Sequence, residues 1–249
     1  MKAFNLKNHL GKIGAGVLLT TGMMFGSSAL ASGGDGCGTY DTGEKNAEGQ
    51  AITQTLACST APIDFTNKGS LQRGAKTFMN YCVGCHSAQY VRYSRIAQDL
   101  EIPKELVEKY LMVTTNQIGD HITAKIDPEV QGNWFGAAPP DLSLETRLRG
   151  DDWVYTYLLS FYEDPSRPWG SNNLVLANAA MPHVLHNMQK ELSEDEYRKN
   201  VGDLVNFMAW MAEPVRHDRK IYGAFVILFL LVLLIPVYLL NKEFWKDVK

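Results

Sequence analysis

The rhythm of hydrophobic and polar positions changes several times along this chain of 249 residues, and each change marks a different kind of segment. The first is a short apolar run, 13–25, preceded by Lys2, Lys7 and Lys12 and followed by Ala29-Leu30-Ala31, the small-x-small pattern of a signal-peptidase site. It predicts a signal peptide over 1–31 and a mature chain that starts at Ser32. Residues 32–60 are rich in Gly, Ser, Thr and Asn and keep no helical period, so they are expected to form a surface arm or loop. From Ser70 toward Val91 the period becomes helical, with Leu71, Ala75, Phe78, Met79, Cys82 and Cys85 near one face. Ile102-Pro103-Lys104-Glu105 reads as a helix start, followed by Leu106, Val107, Tyr110 and Leu111. Residues 133–140, aromatic and rich in Gly and Pro, predict a loop.

A second helix is expected over 151–162, with Trp153, Tyr157, Leu158 and Phe161 on one face and Asp151 or Asp152 as cap. Pro165, Pro168 and Pro182 then hold an irregular stretch. Ser193-Glu194-Asp195-Glu196 is a capping-box pattern that opens a last helix through Val201, Leu204, Val205, Met208 and Met211 to Glu213. No segment alternates as a convincing strand and no repeat is present. The domain over 32–215 is therefore expected to be mainly α.

The final change is to a run without charge, 221–240, flanked by Arg216, Arg219 and Lys220 before it and Lys242, Lys246 and Lys249 after it. At ~1.5 Å per residue it spans about 30 Å, the hydrocarbon thickness, and predicts one C-terminal transmembrane helix. Pro236 lies inside it, where neighbouring helices can satisfy the freed carbonyl. Basic residues balance on its two sides, so the positive-inside rule does not decide orientation. The signal peptide does: it predicts an inner-membrane, single-pass protein with its domain in the periplasm and 241–249 as a cytoplasmic tail.

Composition adds two things. The formal net charge is −3, and the two ends are basic, so residues 32–215 are more acidic than the whole. Clusters such as Glu191-Glu194-Asp195-Glu196 could steer a basic partner, while most such charges are simply solvated helix faces. A basic nucleic-acid footprint is lacking, and no nucleic-acid partner is expected. The cysteines number 4, and an exported domain meets an oxidising compartment, where Cys37 and Cys58 can pair or stay as two thiols in a polar segment.

The other two cysteines carry the chemistry. Cys82-Val83-Gly84-Cys85-His86 is the attachment pattern of a c-type haem: thiols at i and i+3 share a helix face and reach two vinyl groups, while His86 reaches the iron. A structural zinc site would need a second pair of ligands, and a redox dithiol a βαβ setting. One covalent haem c is expected. A second axial ligand decides what it does, since a His/Met pair makes a high-potential carrier and an open position allows ligand chemistry. Met79 is one turn before Cys82 and stays on the attachment side; Met112, Met208 and Met211 sit at core spacing. Met181, in Asn178-Ala179-Ala180-Met181-Pro182, lies in a loop that could approach a flat ring, with His183, His186 and His121 as alternatives.

Four stretches together resemble the cytochrome c1 family in its bacterial form. They are Arg73-Gly74-Ala75-Lys76-Thr77-Phe78 leading into Cys82–His86, then Gly136-Ala137-Ala138-Pro139-Pro140-Asp141-Leu142-Ser143, then Ala180-Met181-Pro182, and Asp203-Leu204-Val205-Asn206-Phe207 with Glu213-Pro214 before the anchor. The resemblance runs from about residue 62 to the end. It implies a class I cytochrome c-like haem domain with inserted loops, Met181 as the sixth iron ligand, Pro139 and Pro140 along the haem edge, and Trp153 as a packing aromatic. Arg149, with Arg147 as alternate, would bind a propionate.

It also implies the electron-transfer haem subunit of a respiratory cytochrome bc1 complex, itself dimeric. Such a subunit accepts electrons from a Rieske iron–sulfur protein, packs against cytochrome b and passes electrons to a soluble or membrane-bound c-type cytochrome. On that view the chain alone is a carrier, and one part of quinol–cytochrome c oxidoreductase. The alternative is a membrane-anchored c-type cytochrome subunit of a terminal oxidase. Residues 35–60, with Cys37 and Cys58, match nothing typical of the family.

Overall fold

Helices stand where apolar residues recur every three or four positions. In the computed structural model of the chain, which describes residues 36–45 and 50–247, α1 is Lys68–Tyr81 and α8 is Glu194–Ala212. The signal peptide expected over 1–31 lies outside the described residues. Helix α1 starts at Asn67, whose side chain accepts the Ser70 N–H, and buries Leu71, Ala75, Phe78 and Met79. Helix α8 opens with the expected capping box, Ser193 and Glu196 bonding each other's backbone N–H.

These two helices cross at the centre of the domain. Gly74 makes the crossing possible: a Cβ there would lie 2.0 Å from the Asp203 carbonyl oxygen. Arg73 pairs with Asp203 at 2.6 Å beside the contact. Phe78 and Phe207 pack with ring centroids 5.6 Å apart. Asn206, fully buried, donates to the Asp64 carbonyl (2.9 Å) and Ser70 Oγ (3.0 Å) and accepts from the Asp64 N–H (2.9 Å). No polar atom of that amide is left without a partner, which is what makes its burial tolerable.

Short helices surround this pair: α2 (Tyr93–Asp99), α3 (Lys104–Tyr110), α4 (Pro128–Phe135), α5 (Glu145–Arg149), α6 (Asp151–Leu159) and α7 (His186–Glu191). Helix α6 lies on α8, where the Tyr197 and Tyr155 hydroxyls donate to the Leu158 and Arg198 carbonyls, each at 3.2 Å. It differs from the expected 151–162 at both ends. It stops at Leu159 and the chain turns into a strand, and its N-cap is Gly150 rather than an aspartate. The two carboxylates are engaged elsewhere: Asp151 pairs with Arg216 at 3.0 Å and Asp152 accepts the Ala61 N–H at 2.7 Å. The predicted loop 133–140 begins inside α4, which ends at Gly136 with φ +79°, a left-handed C-cap.

The absence of strands expected from the sequence is also corrected, by three two-stranded antiparallel sheets among the described residues. One falls within 32–60: β1 (Gly38–Lys45) pairs with β2 (Ala51–Leu56). This arm is a hairpin. Its thermodynamic basis is local, with Thr-rich strands, a backbone ladder and a cross-strand hydrogen bond from Tyr40 Oη to Gln54 Oε1 (2.8 Å). The others are β3 (Ala88–Arg92) with β4 (His121–Ile122), and β5 (Phe161–Glu163) with β6 (Ser171–Asn173).

Cys37 and Cys58 are joined in a disulfide at the open end of the hairpin, 21 residues apart. By the chain-entropy argument, a loop of that length contributes about 3 kcal/mol. Intact mass after alkylation without reductant is expected to show no label on either thiol. Labelling of both would remove the bond.

The last element, α9 (Arg216–Phe244), has 29 residues; its most apolar 18-residue stretch has a mean hydropathy of 2.9, and its side chains are exposed along its length. A helix apolar on all sides is consistent with a single membrane span. It is longer than the charge-free run 221–240, beginning in basic residues that grip the domain: Arg216 on Asp151 and Arg219 on Glu213 at 2.6 Å. The mainly α architecture with one long apolar C-terminal helix is as expected.

Candidate functional site

Helix α1 delivers the two thiols and His86 to one place. Past Tyr81 the backbone keeps turning: the Cys82 N–H reaches Phe78 O (2.9 Å), and the Cys85 and His86 N–H groups reach Cys82 O (3.1 and 2.8 Å). Cys82, Cys85 and His86 all line one cavity between α1, α5, α6, α8 and the loop before α7. The two thiols are not bonded to each other. Burial pushes the Cys82 thiol up to about 12, with Cys85 adding to the effect. A redox dithiol requires the opposite, an easily ionised sulfur.

The His86 ring is oriented by the proline segment across the cavity, Nδ1 lying 2.8 Å from the Pro140 carbonyl oxygen. A carbonyl only accepts, so Nδ1 carries the proton and Nε2 keeps a free lone pair. Burial also lowers the His86 pKa, against the opposing effects of that hydrogen bond and of the Glu145 and Asp141 charges. The imidazole is therefore neutral and ready to ligate.

Met181 lies on the same cavity. The Tyr157 hydroxyl donates to its sulfur at 3.6 Å. Burial pushes that hydroxyl up to about 12, so it stays protonated as a donor. The loop leading to Met181 is tied down at Asn178, which has φ +62°: its N–H goes to Asn172 Oδ1 (2.8 Å) and its carbonyl accepts from Arg167 (3.1 Å). Asn is one of the few residues that tolerates this conformation.

Pro139, Pro140, Arg149 and Trp153 also line the cavity. The Arg149 guanidinium lies 4.4 Å above the Trp153 ring and pairs with Glu145. Trp153 in turn stacks on Tyr157 at 5.2 Å and 6°. Arg147 points to another task, an ion pair with Glu213 at 3.5 Å. Of the alternative ligands, His121 is exposed and bonded to the Gln89 carbonyl. His183 stacks on Phe161 (5.0 Å) and meets His186 edge-on (5.6 Å), and neither histidine lines the cavity.

Met208 is the surprise. Expected as core filler, it is buried in the core and also lines the cavity, with its backbone carbonyl held by the Thr146 hydroxyl at 3.4 Å. Glu145 and the Tyr157 hydroxyl were likewise not singled out in the sequence. The signal for Tyr157 was its place one turn after Trp153, together with the need of any buried tyrosine hydroxyl for a partner.

The residues fit a flat ring with acidic substituents. Ala137, Ala138, Leu142, Leu204 and the two prolines make apolar walls, and the polar side chains Glu145 and Arg149 stand together on one flank. Among the described residues, no group of three or more His, Cys, Asp or Glu side chains is placed to hold a bare metal ion. Paired thiols, one imidazole and a thioether on a loop facing them across an apolar slot, with a second thioether on α8, include the donor set of a c-type cytochrome, here in a helical domain ahead of a long apolar helix.

Comparison with known proteins narrows that class. The chain belongs to the cytochrome c1 family, whose sequence profile matches residues 59–248. It is 43% identical over 216 residues to cytochrome c1 of Allochromatium vinosum, covering 76% of this chain and 88% of that one. A protein of Nitrosomonas europaea named ammonia monooxygenase gamma subunit is 40% identical over 212 residues, covering 78% of this chain and 90% of its own. A mitochondrial cytochrome c1 haem protein of Arabidopsis thaliana is 26% identical over 210 residues, covering 72% of this chain and 66% of its own. Family membership implies haem c binding and an electron-carrier role. The hairpin 38–56 lies ahead of the matched region.

Proposed function

We propose that this chain is the haem-bearing electron-transfer subunit of a membrane cytochrome bc1 complex, accepting single electrons from a Rieske iron–sulfur protein and passing them to a c-type cytochrome. The observation that carries this is the cavity that gathers Cys82, Cys85, His86 and Met181 in a chain of the cytochrome c1 family. A haem c bound there would supply a one-electron iron couple, and no bond-making chemistry is required of the protein.

The side chains then have separate tasks. Cys82 and Cys85 would hold the ring as thioethers. His86, its proton kept on Nδ1 by the Pro140 carbonyl, would present Nε2 to the iron. Met181 would supply a second, softer ligand, a pairing that favours a high potential. Pro139 and Pro140 would line the ring and Trp153 would pack against it. Arg149 spends part of its hydrogen-bonding capacity on Glu145 and offers the remaining N–H groups to a propionate. Helix α9 anchors the domain beside cytochrome b, in a dimeric complex in the inner membrane, with the signal peptide at 1–31 sending the haem domain to the periplasm.

The relative named as an ammonia monooxygenase subunit favours a second reading, the same carrier serving a monooxygenase. One measurement separates the bc1 reading from that of an oxidase subunit. In the gently solubilised native membrane complex, quinol is expected to reduce the c-haem together with b-haems, and a quinol-site inhibitor to prevent it. Reduction only from an added soluble cytochrome would replace this reading with that of an oxidase subunit.

A further inference from the structure

We propose that Tyr157 is a positioning residue for the sixth iron ligand: its hydroxyl occupies one lone pair of the Met181 sulfur, directs the other to the iron, and raises the potential. The inference rests on Met181 being that ligand. A thioether sulfur has two lone pairs and is a weak acceptor, so a donor at 3.6 Å takes one of them and leaves one. Methionine has three rotatable bonds and a site that relies on it needs something to choose a rotamer.

Tyr157 is well placed to do the choosing because it is itself held. Its ring lies parallel to Trp153 at 5.2 Å and edge-on to Phe161 at 5.1 Å and 71°. Its carbonyl receives Asn173 Nδ2 at 2.7 Å, tying α6 to the strand that begins the ligand loop. Arg149 over Trp153, Trp153 stacked on Tyr157, and the Tyr157 hydroxyl on the Met181 sulfur form one continuous run of contacts. That run leads from the side chain expected to meet a propionate to the ligand sulfur.

The electronic consequence has a definite sign. A hydrogen bond draws density from the sulfur, and ferric iron, the more electron-poor state, loses more from this than ferrous iron. The reduced state is favoured. A bond of this modest kind supports a change of about threefold in the ferrous-to-ferric ratio at fixed ambient potential, equivalent to about 30 mV at 59 mV per tenfold for one electron.

The test is a spectroelectrochemical titration of the c-haem in the intact complex carrying Tyr157→Phe, with the far-red sulfur-to-iron band of the ferric state recorded alongside. The band should persist while the ferrous-to-ferric ratio falls about threefold. Tyr157→Leu, which also lacks the hydroxyl, should move the ratio the same way if the phenylalanine variant does not assemble. Phe161→Leu disturbs the same packing but keeps the hydroxyl, and should move it little. An unchanged ratio in Tyr157→Phe with the band intact overturns the proposal, as does an equal shift in Phe161→Leu. A band missing from the unaltered protein would instead sink the assignment of Met181, a distinguishable failure.

Discussion

Met181→Ala is expected to abolish the far-red sulfur-to-iron band of the ferric protein and to lower the c-haem potential by on the order of 100 mV or more, because axial-ligand identity is the strongest lever on that couple. Alanine leaves no thioether on that loop. The Tyr157 hydroxyl loses its sulfur partner and remains in an apolar wall, so water or a nearby imidazole becomes the iron's next choice. His183 is the nearest in sequence, and its Nε2 is buried without a partner, although its ring is stacked against Phe161. Met208→Leu is the control, since Met208 also lines the cavity but sits on the rigid α8 helix within the core. It should keep the band. A band that survives Met181→Ala and disappears in Met208→Leu would exchange the roles of the two methionines.

What could be read in advance depended on how each feature leaves a trace along the chain. Helices α1 and α8 bury one face or more, and burial imposes a period on the residues that survive there. The apolar run of α9 and the Cys82–His86 segment are local patterns, each complete within a short stretch of sequence. The hairpin β1–β2 was not: its described side chains are mostly exposed or half-buried, so no face needed to be apolar and no alternation arose. Its order comes from a ladder and a disulfide, neither of which has a hydrophobic period.

The aspartates at 151 and 152 looked like caps because the residue type is right, yet long-range partners at Arg216 and Ala61 N–H claimed them. The same limit applied to the site. Spacing offered both Arg147 and Arg149, and only the fold sends one to Glu213 and the other to the cavity. Spacing places Tyr157 on an apolar face, while its use lies in the one polar atom at the end of the ring.

Gly74→Ala is expected to be the most damaging single-methyl change in the domain. The added Cβ would stand 2.0 Å from the Asp203 carbonyl oxygen, 2.8 Å from its carbon and 2.7 Å from Phe207 Cβ. Two of these atoms are backbone in the middle of α8, so no rotamer change relieves the clash and the two helices must move apart. Moving them loosens the Phe78–Phe207 contact and the Arg73–Asp203 pair together. Ordinary overpacking costs about 1–3 kcal/mol, and a backbone clash at the central crossing should cost about 4 kcal/mol or more, a large part of a typical domain's stability.

Helix α1 also carries the segment from Cys82 to His86 at its C-terminal end, so separation from α8 displaces one wall of the cavity relative to Leu204 and Met208 on the other. Haem-stained protein in membranes should fall to a small fraction of the normal level, and any holoprotein recovered should melt well below the unaltered one. Gly119→Ala, which meets nothing within 4 Å, should leave both unchanged. A Gly74→Ala protein melting within about 2 °C of normal would show that α1 and α8 do not meet as closely as Gly74 implies.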